Sequence, residues 1–155
     1  MDLKEYIRSI PDYPKKGILF RDITTLIKNE SAFAETINQI VERSKNYKFD
    51  KIAAIESRGF VFASAVSYLL KKPFILLRKK NKLPADTYSV DFELEYGTAT
   101  IEMHKDSINE NDSVLIIDDL IATGGTAKAA AKLIEMSKGN VSTFIFDINL
   151  FDLGG

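Results

Sequence analysis

Residues 114–126 read VLIIDDLIATGGT, and this stretch decides the fold of the chain. Its first part, residues 114–117, has only β-branched and leucine residues, which suits a strand buried on both faces of a parallel sheet. An alanine-rich run at residues 126–136 follows and is typical of a helix. A buried strand, a glycine turn and a helix predict an α/β protein whose ligand lies beyond the carboxyl ends of the strands.

The turn at residues 123–126 has the composition of an anion site. Gly124 and Gly125 permit backbone conformations that point successive N–H groups inward, and Thr123 and Thr126 add hydroxyl donors. The amino end of the following helix adds partial positive charge. We therefore expect a phosphate monoester to bind at this turn.

Asp118 and Asp119 precede this turn, and we expect both to fall just past a strand that spans residues 113–117. Adjacent carboxylates repel a phosphate unless they bind the vicinal hydroxyls of its sugar and help to hold a hydrated Mg²⁺. The pair therefore predicts a sugar phosphate. An acid-capped junction without a ligand is the alternative. Neither G-x-x-x-x-G-K-[ST] nor G-x-G-x-x-G occurs, which disfavours nucleoside triphosphate hydrolysis and dinucleotide binding.

The composition favours a small enzyme of one domain. The chain has 155 residues, of which 45% are hydrophobic, enough for a substantial core. Its 21 basic residues are offset by 22 acidic ones, so we expect no nucleic-acid partner. No apolar run approaches the ~20 residues that cross a membrane, and the first residues lack an apolar signal core. The absence of cysteine excludes disulfides and thiolate metal sites, and the cytoplasm is the expected compartment.

Hydrophobic periodicity predicts alternating helices and strands. Helices are expected at residues 3–9, 59–70 and 126–137, and in a segment capped by Ser31 with an apolar face of Phe33, Ile37, Ile40 and Val41. Strands are expected at 51–55, 74–77, 113–117 and 141–148, with strand pairs at 88–103. This alternation predicts a doubly wound, mostly parallel sheet.

The segment DDLIATGGT at residues 118–126 closely resembles the motif with which type I phosphoribosyltransferases bind phosphoribosyl pyrophosphate (PRPP). In that family the acids hold the ribose diol and the turn holds the 5-phosphate. The resemblance implies a type I phosphoribosyltransferase fold, with a central mostly parallel sheet flanked by helices and a small N-terminal hood. It also implies a Mg²⁺ held mainly by PRPP and water, with Asp118 and Asp119 as candidate contacts. The implied ribose 5-phosphate contacts are Asp118, Asp119, Ala122, Thr123, Gly124, Gly125 and Thr126.

Residues 56–60 read ESRGF and form a second candidate loop, just past one predicted strand and just before a helix. The guanidinium of Arg58 could hold pyrophosphate oxygens bidentately, and Gly59 lets the backbone approach the anion. A helix start with a solvated arginine is the alternative. A similar E/D-S/A-R-G-F segment binds pyrophosphate in adenine phosphoribosyltransferases. It implies pyrophosphate contacts from Glu56, Ser57, Arg58 and Gly59, with Arg58 also catalytic.

Residues 78–84 read RKKNKLP and follow a predicted strand. Cations here would neutralise the charge that grows on a leaving Mg-pyrophosphate, although such runs are usually solvated surface. The run resembles the R-K-x-G-K-L-P segment of the same family, which implies pyrophosphate contacts from Arg78, Lys79 and Lys82. Asn81 stands where glycine is usual, and asparagine tolerates a left-handed backbone.

Residues 93–97 read ELEYG and resemble the S-L-E-Y-G segment of the family's mobile catalytic loop. The resemblance implies a flexible loop at about residues 79–96, whose closure would exclude water. Glu95 is the implied catalytic carboxylate, which stabilises an oxocarbenium-like state or takes the nucleobase proton. Glu93 is the alternate, and a purely structural acid is the other interpretation. Tyr96 would pack over the closed site.

Residues 14–23 read PKKGILFRDI and resemble the P-x-x-G-[IV]-x-F-R-D-[IV] signature of adenine phosphoribosyltransferases, in which a small hood covers the purine. The resemblance implies a single domain, residues 1–155, with a hood at 1–30 and a core at 31–155. Family members usually continue past a segment like residues 149–155 with a stretch that packs on the core or the dimer.

The hood signature also implies how the base is held. Phe20 would stack on adenine, and main-chain groups of Leu19 and Arg21 would pair with its amino group and ring nitrogen. A core-packing Phe20 with a structural Arg21–Asp22 pair is the alternative. The implied adenine contacts are Leu19, Phe20, Arg21 and Ile148, with Asp147 as a weaker candidate.

Ala122 favours adenine as the base, because hypoxanthine/guanine enzymes typically carry an acid at the matching position. The resemblance therefore predicts a Mg²⁺-dependent homodimer that converts adenine and PRPP to AMP and pyrophosphate. A non-catalytic PRPP-binding regulator and an enzyme for xanthine or hypoxanthine are the alternatives. His104 has no second histidine with which to form a metal site, and we expect it to be structural.

Overall fold

The computed structural model describes residues 3–13, 16–17, 20–94, 97–121 and 124–149. The chain forms two compact units, Met1–Arg43 and Ser44–Gly155. The predicted hood at residues 1–30 and core at residues 31–155 stay predictions.

Among the described residues, the first unit contains four short elements and one longer helix. They are a 3-10 helix at Leu3–Tyr6, strands β1 (Arg8–Ile10) and β2 (Phe20–Asp22), and helices α1 (Thr24–Lys28) and α2 (Glu30–Ser44). Strands β1 and β2 pair antiparallel, from Arg8↔Asp22 to Ile10↔Phe20. The helix expected at residues 3–9 is therefore shorter than predicted, because residues 8–10 extend to pair with β2.

Asn29, and not Ser31, caps helix α2. The backbone N–H of Ala32 donates to Asn29 Oδ1 at 2.9 Å, while Ser31 lies within the helix. The prediction of a Ser31 cap is wrong because the helix already begins at Glu30. Its predicted apolar face is confirmed, since Ile37 and Ile40 are buried.

The second unit contains a sheet of six strands. Its elements are β3 (Lys51–Ile55), α3 (Arg58–Leu70), β4 (Phe74–Lys79), β5 (Thr87–Leu94), β6 (Gly97–His104), β7 (Ser113–Ile121), α4 (Gly125–Met136) and β8 (Asn140–Asn149). The strand order is β5-β6-β4-β3-β7-β8. Strands β4, β3, β7 and β8 are parallel, and β5 and β6 form an antiparallel hairpin at one edge. The predicted fold, with a mostly parallel central sheet flanked by helices, is confirmed.

Helix α4 shows that the sheet is curled. It contacts both β5 and β8, which are the two edge strands, and a flat sheet could not bring both edges to one helix. Helix α3 packs on β3 and β7. The core is formed by buried aliphatic side chains of the parallel strands and α4, among them Ala53, Leu77, Ile116 and Leu133. Among the described residues, no helix is long and apolar enough to span a bilayer.

The carboxyl ends of the four parallel strands lie on the same side of the sheet, and the candidate residues Asp118 and Asp119 lie near the carboxyl end of β7. β7 pairs with β8 as far as Ile121↔Asn149, whereas its pairing with β3 ends at Ala54↔Ile117. Asp118 and Asp119 thus lie within β7, and the prediction that they follow the strand is wrong because β8 continues to supply backbone partners. They nevertheless lie beyond the last residue pair between β7 and β3.

Candidate functional site

Gly59 brings the start of α3 against strand β7. A Cβ at position 59 would stand 3.1 Å from Asp118 Oδ1 and 3.1 Å from the carbonyl oxygen of Ile117. Glycine permits this approach because it has no side chain. Asp118 is buried, with only 9% of the residue exposed. The structure therefore brings together Gly59 of the predicted segment 56–59 and Asp118 of the predicted acidic pair.

Gly124 forms the turn from which α4 begins. It is the N-cap of the helix and has φ 87° and ψ 0°, a left-handed conformation that glycine adopts without strain. The first turn of a helix carries partial positive charge, so this end of α4 suits an anion. Thr126 is half-buried in that first turn. Ala122 and Thr123 lie outside the described residues, and Asp119 is described by its backbone in β7.

Glu56 contacts the last two residues of β4, Arg78 and Lys79. Its Oε1 accepts a hydrogen bond from the backbone N–H of Lys79 and lies 3.5 Å from Arg78 Nε. The backbone N–H of Glu56 donates to the carbonyl oxygen of Leu77 at 2.9 Å. β4 runs to Lys79, past its predicted end at Leu77, because Arg78 and Lys79 pair with β6. Glu56 thus links the loop after β3 to the cationic residues at the end of β4.

The other residues of these two segments are placed by α3 and by the loop after β4. Arg58 is the first residue of α3 and is half-buried, while Ser57 is its exposed N-cap. The ring of Phe60 meets the ring of Phe74 edge-on, with centroids 5.6 Å apart, and so joins α3 to β4. Lys82 is exposed in the loop.

Asn81 takes the left-handed conformation that the sequence analysis expected to be tolerated there. Its φ is 67°, and its backbone N–H donates to Glu102 Oε1 at 2.9 Å. Farther along the loop, the N–H of Ala85 donates to His104 Nε2 at 3.2 Å. His104 therefore accepts a hydrogen bond from the loop backbone, consistent with its predicted structural role.

Glu102 is a buried carboxylate that the sequence analysis did not identify. Its oxygens accept hydrogen bonds from the hydroxyls of Ser89 and Thr87 and from the N–H of Asn81. The bond from Ser89, followed by that from Asn81, holds the pKa of Glu102 below its ordinary value, so the group is ionised at neutral pH. The available signal was an acid between two apolar residues, Ile101 and Met103, in a predicted strand.

Much of the predicted flexible loop, residues 79–96, is strand in the structure. β5 pairs with β6 from Thr87↔His104 to Leu94↔Gly97, which also confirms the predicted strand pairs. Glu93 lies exposed in β5, opposite Thr98. Glu95 and Tyr96 lie outside the described residues, so their roles stay predictions.

Asp22 organises the described part of the hood. It accepts hydrogen bonds from Thr24, with Oδ1 2.9 Å from the backbone nitrogen and 2.7 Å from Oγ1, and from Arg8 Nε at 2.8 Å. The Thr24 bonds, with the Arg8 guanidinium, lower the pKa of Asp22. Leu19 lies outside the described residues. Phe20 and Arg21 are described as backbone positions of β2, next to this anchor.

The end of β8 carries the remaining base candidates. Ile148 and Asp147 are described by their backbone positions, with Ile148 paired to Leu120 of β7. Within the described residues, no group of three or more histidine, cysteine or carboxylate side chains could hold a metal ion. The carboxylate of Asp118 is the type of oxygen ligand that Mg²⁺ prefers in proteins.

Comparison with known proteins identifies the family of the chain. Residues 22–142 match the model of the phosphoribosyl transferase domain. The adenine phosphoribosyltransferase of Pelagibacter ubique (strain HTCC1062) is 83% identical over 155 residues, which are 100% of this chain and 89% of that protein.

Solved structures of adenine phosphoribosyltransferases are also similar to this chain. The crystal structure of adenine phosphoribosyltransferase from Thermoanaerobacter pseudethanolicus has a TM-score of 0.94 and 48% identity, and the match covers 98% of this chain and 89% of that one. The enzyme from Saccharomyces cerevisiae, complexed with adenine and an imino-altritol bisphosphate, has a TM-score of 0.90 and 35% identity, covering 98% and 89%.

Proposed function

This chain belongs to the adenine phosphoribosyltransferase family, and on that premise we propose which of its residues carry out the reaction. The enzyme transfers the 5-phosphoribosyl group from PRPP to adenine and gives AMP and pyrophosphate. N9 of adenine forms a bond to the anomeric carbon of the ribose, the bond from that carbon to pyrophosphate breaks, and the base loses its N–H proton.

Asp118 and Asp119 bind the ribose diol, and the turn before α4 binds the 5-phosphate. The approach of Gly59 to Asp118 is the single observation that carries this assignment, because it sets the pyrophosphate segment beside the ribose segment. A donor whose pyrophosphate leaves from the ribose needs both sites at this spacing. The proposed 5-phosphate contacts are Ala122, Thr123, Gly124, Gly125 and Thr126.

The pyrophosphate is held where β3 and β4 end. Arg58 opens α3 and also acts as a catalytic cation, because it stabilises charge on the leaving group. Glu56 keeps Arg78 and the backbone of Lys79 in place for the same anion. The remaining proposed pyrophosphate contacts are Ser57, Gly59 and Lys82.

Glu95 supplies the catalytic carboxylate, which stabilises the oxocarbenium-like transition state or accepts the proton of the base. Tyr96 covers the closed site. Adenine is held by Phe20 and by main-chain groups of Leu19 and Arg21, with Ile148 as a further contact. The yeast relative, solved with adenine bound, supports adenine as the base.

Asp118 and Asp119 would contact a Mg²⁺ held mainly by PRPP and water, and this ion would supply positive charge that offsets the charge of the leaving pyrophosphate. We also propose that the enzyme is a cytoplasmic homodimer. Helix α3 supports the dimer because Val61, Tyr68 and Leu69 expose apolar surface on it, and Tyr68 is 83% exposed.

The test is a reaction of the purified protein with Mg²⁺, PRPP and, separately, adenine, hypoxanthine, guanine and xanthine. Nucleotide and pyrophosphate are then measured by chromatography. We expect AMP from adenine and no product from the other bases. Product from a 6-oxopurine would overturn the base assignment, and PRPP binding without product would indicate a non-catalytic regulator.

A further inference from the structure

Glu102 holds both ends of the loop that joins β4 to β5, residues 80–86. Oε1 accepts the backbone N–H of Asn81 at 2.9 Å, near the start of the loop. Oε2 accepts the hydroxyls of Thr87 at 3.2 Å and Ser89 at 2.6 Å, just after its end. One carboxylate therefore closes the loop on strand β6.

His104 extends this attachment along the same strand. Side chains two residues apart in a strand lie on one face, so His104 and Glu102 face the same side of β6. His104 Nε2 accepts the N–H of Ala85 at 3.2 Å, and the N–H of Lys105 donates to the carbonyl oxygen of Asp86 at 2.9 Å. The loop backbone is thus bonded to β6 near both of its ends.

Glu102 is built for this attachment and not for contact with solvent. Only 9% of the residue is exposed, and its oxygens face three donors from the loop and β5. A buried carboxylate is stable only when such donors surround it, and these donors lose their acceptor when it is removed. The nearby charge of Lys80 adds a favourable interaction.

The first five residues of the attached loop, 80–84, belong to the cationic segment, residues 78–84. Glu56 fixes the first part of this segment at Arg78 and Lys79, and Glu102 fixes the next part at Asn81. We propose that Glu102 is a positioning residue for pyrophosphate, which holds the loop in the conformation that its lysines need. This inference rests on the proposed role of the loop in pyrophosphate binding.

Two measurements on Glu102→Ala test the proposal. Hydrogen exchange of residues 80–87 in the free protein reports the conformation of the loop, and calorimetric titration with magnesium pyrophosphate reports its use. We expect exchange at least about tenfold faster and a Kd about tenfold higher, a loss typical of misplaced binding groups. Glu102→Gln keeps an acceptor for Asn81 and should stay within about threefold of wild type in both measurements.

Asp112→Ala is the matched control, because Asp112 also accepts a backbone N–H, from Asn109 at 2.8 Å, but lies at the other end of the sheet. It should lower stability without changing loop exchange or the Kd. Ser89→Ala removes only one of the three donors and serves if Glu102→Ala does not fold; an intermediate effect is expected.

Wild-type exchange and wild-type Kd in Glu102→Ala, or in Ser89→Ala in its place, would overturn the proposal. So would faster exchange with an unchanged Kd, since Glu102 would then be structural only. Failure of the wild-type protein to bind magnesium pyrophosphate would instead contradict the proposed function of the loop, and would overturn the positioning role with it.

Discussion

Gly59 packs so closely against Asp118, across the junction of α3 and β7, that a methyl group at position 59 would make an unusually short contact with it. The ideal Cβ position on Gly59 is 3.1 Å from Asp118 Oδ1, 3.1 Å from the carbonyl oxygen of Ile117 and 3.5 Å from the Cβ of Ala54. The carboxylate can rotate away from a new methyl group more easily than the carbonyl can move, because the carbonyl belongs to a buried strand. We therefore expect an added methyl group to displace mainly the carboxylate proposed to bind ribose.

Gly59→Ala should raise the KM for PRPP about tenfold to a hundredfold, because displacement of a binding group by a few tenths of an ångström weakens donor binding. Overpacking should also cost about 1–3 kcal/mol of unfolding free energy. Gly139→Ala is the control, since its Cβ would meet Ile108 Cγ2 at 2.9 Å, and Gly139 precedes β8 at the end of the strand opposite to the proposed contact Ile148. Steady-state kinetics and urea unfolding check both; an equal rise in KM for the two variants would contradict the prediction.

Asp118→Asn and Asp119→Asn should mainly raise the KM for PRPP, by about tenfold to a hundredfold, because charge-assisted hydrogen bonds contribute about 1.5–3 kcal/mol each.

Glu95→Gln should mainly lower kcat, by about a hundredfold or more, as expected for loss of general acid–base catalysis. Glu110→Gln, an exposed substitution in a turn, should change neither the KM for PRPP nor kcat. If Glu93→Gln lowers kcat and Glu95→Gln does not, the alternate carboxylate is the catalytic one.

The sequence predicts the second unit well because its elements have clear local patterns. β3 has the bounds that the sequence predicts, and the left-handed Asn81 agrees with the family resemblance, in which glycine is usual at this position. Strands β1 and β2 were missed because each has three residues and exists only through its partner. The full length of β7 likewise depends on β8, which extends its pairing to Ile121.

Glu102 shows most clearly what a sequence alone does not contain. Its partners Asn81 and Ser89 lie 21 and 13 residues away along the chain. Their meeting depends on the registers that place Glu102 opposite both Arg78 of β4 and Ser89 of β5. A one-residue slip of β6 would turn the carboxylate to the other face, so its role follows from register and not from composition.

Glu56→Ala should weaken binding of magnesium pyrophosphate about tenfold, although removal of an acid makes the site more positive. The reason is that Glu56 holds the backbone N–H of Lys79 and lies 3.5 Å from Arg78 Nε. Glu56→Gln keeps an acceptor and should lose less than about threefold. Calorimetric titration distinguishes the two effects: tighter binding in both variants would mean that Glu56 only opposes the anion electrostatically.

Arg8→Met should raise the KM for adenine about threefold to tenfold and leave the KM for PRPP within about twofold of wild type. Arg8 donates to Asp22 from its Nε at 2.8 Å and so steadies β2, which carries the proposed base contacts. Glu35→Met, which removes a contact with Gln39 on the surface of α2, is the control and should change neither constant. A larger rise in the KM for PRPP than for adenine would contradict the assignment of the hood to the base.

Asp112→Asn should lower the free energy of unfolding at neutral pH. It should also make that free energy decrease less as the pH falls. Lys51 Nζ lies 2.8 Å from Asp112 Oδ2, and this bond, with the N–H of Asn109, holds the pKa of Asp112 below its ordinary 3.8. A carboxyl whose pKa is lower in the folded state stabilises the fold above its unfolded pKa, and that stabilisation is lost as pH falls through the folded pKa. Urea unfolding from pH 7 to pH 2 should therefore show Asp112→Asn about 1–3 kcal/mol less stable at pH 7, with the gap to wild type closing below about pH 4. The control is Asp106→Asn, in an exposed turn, whose unfolding free energy should match that of the wild type at every pH. If the difference in unfolding free energy between Asp112→Asn and wild type stays constant down to pH 2, the charge of the Asp112 carboxylate does not stabilise this end of the sheet.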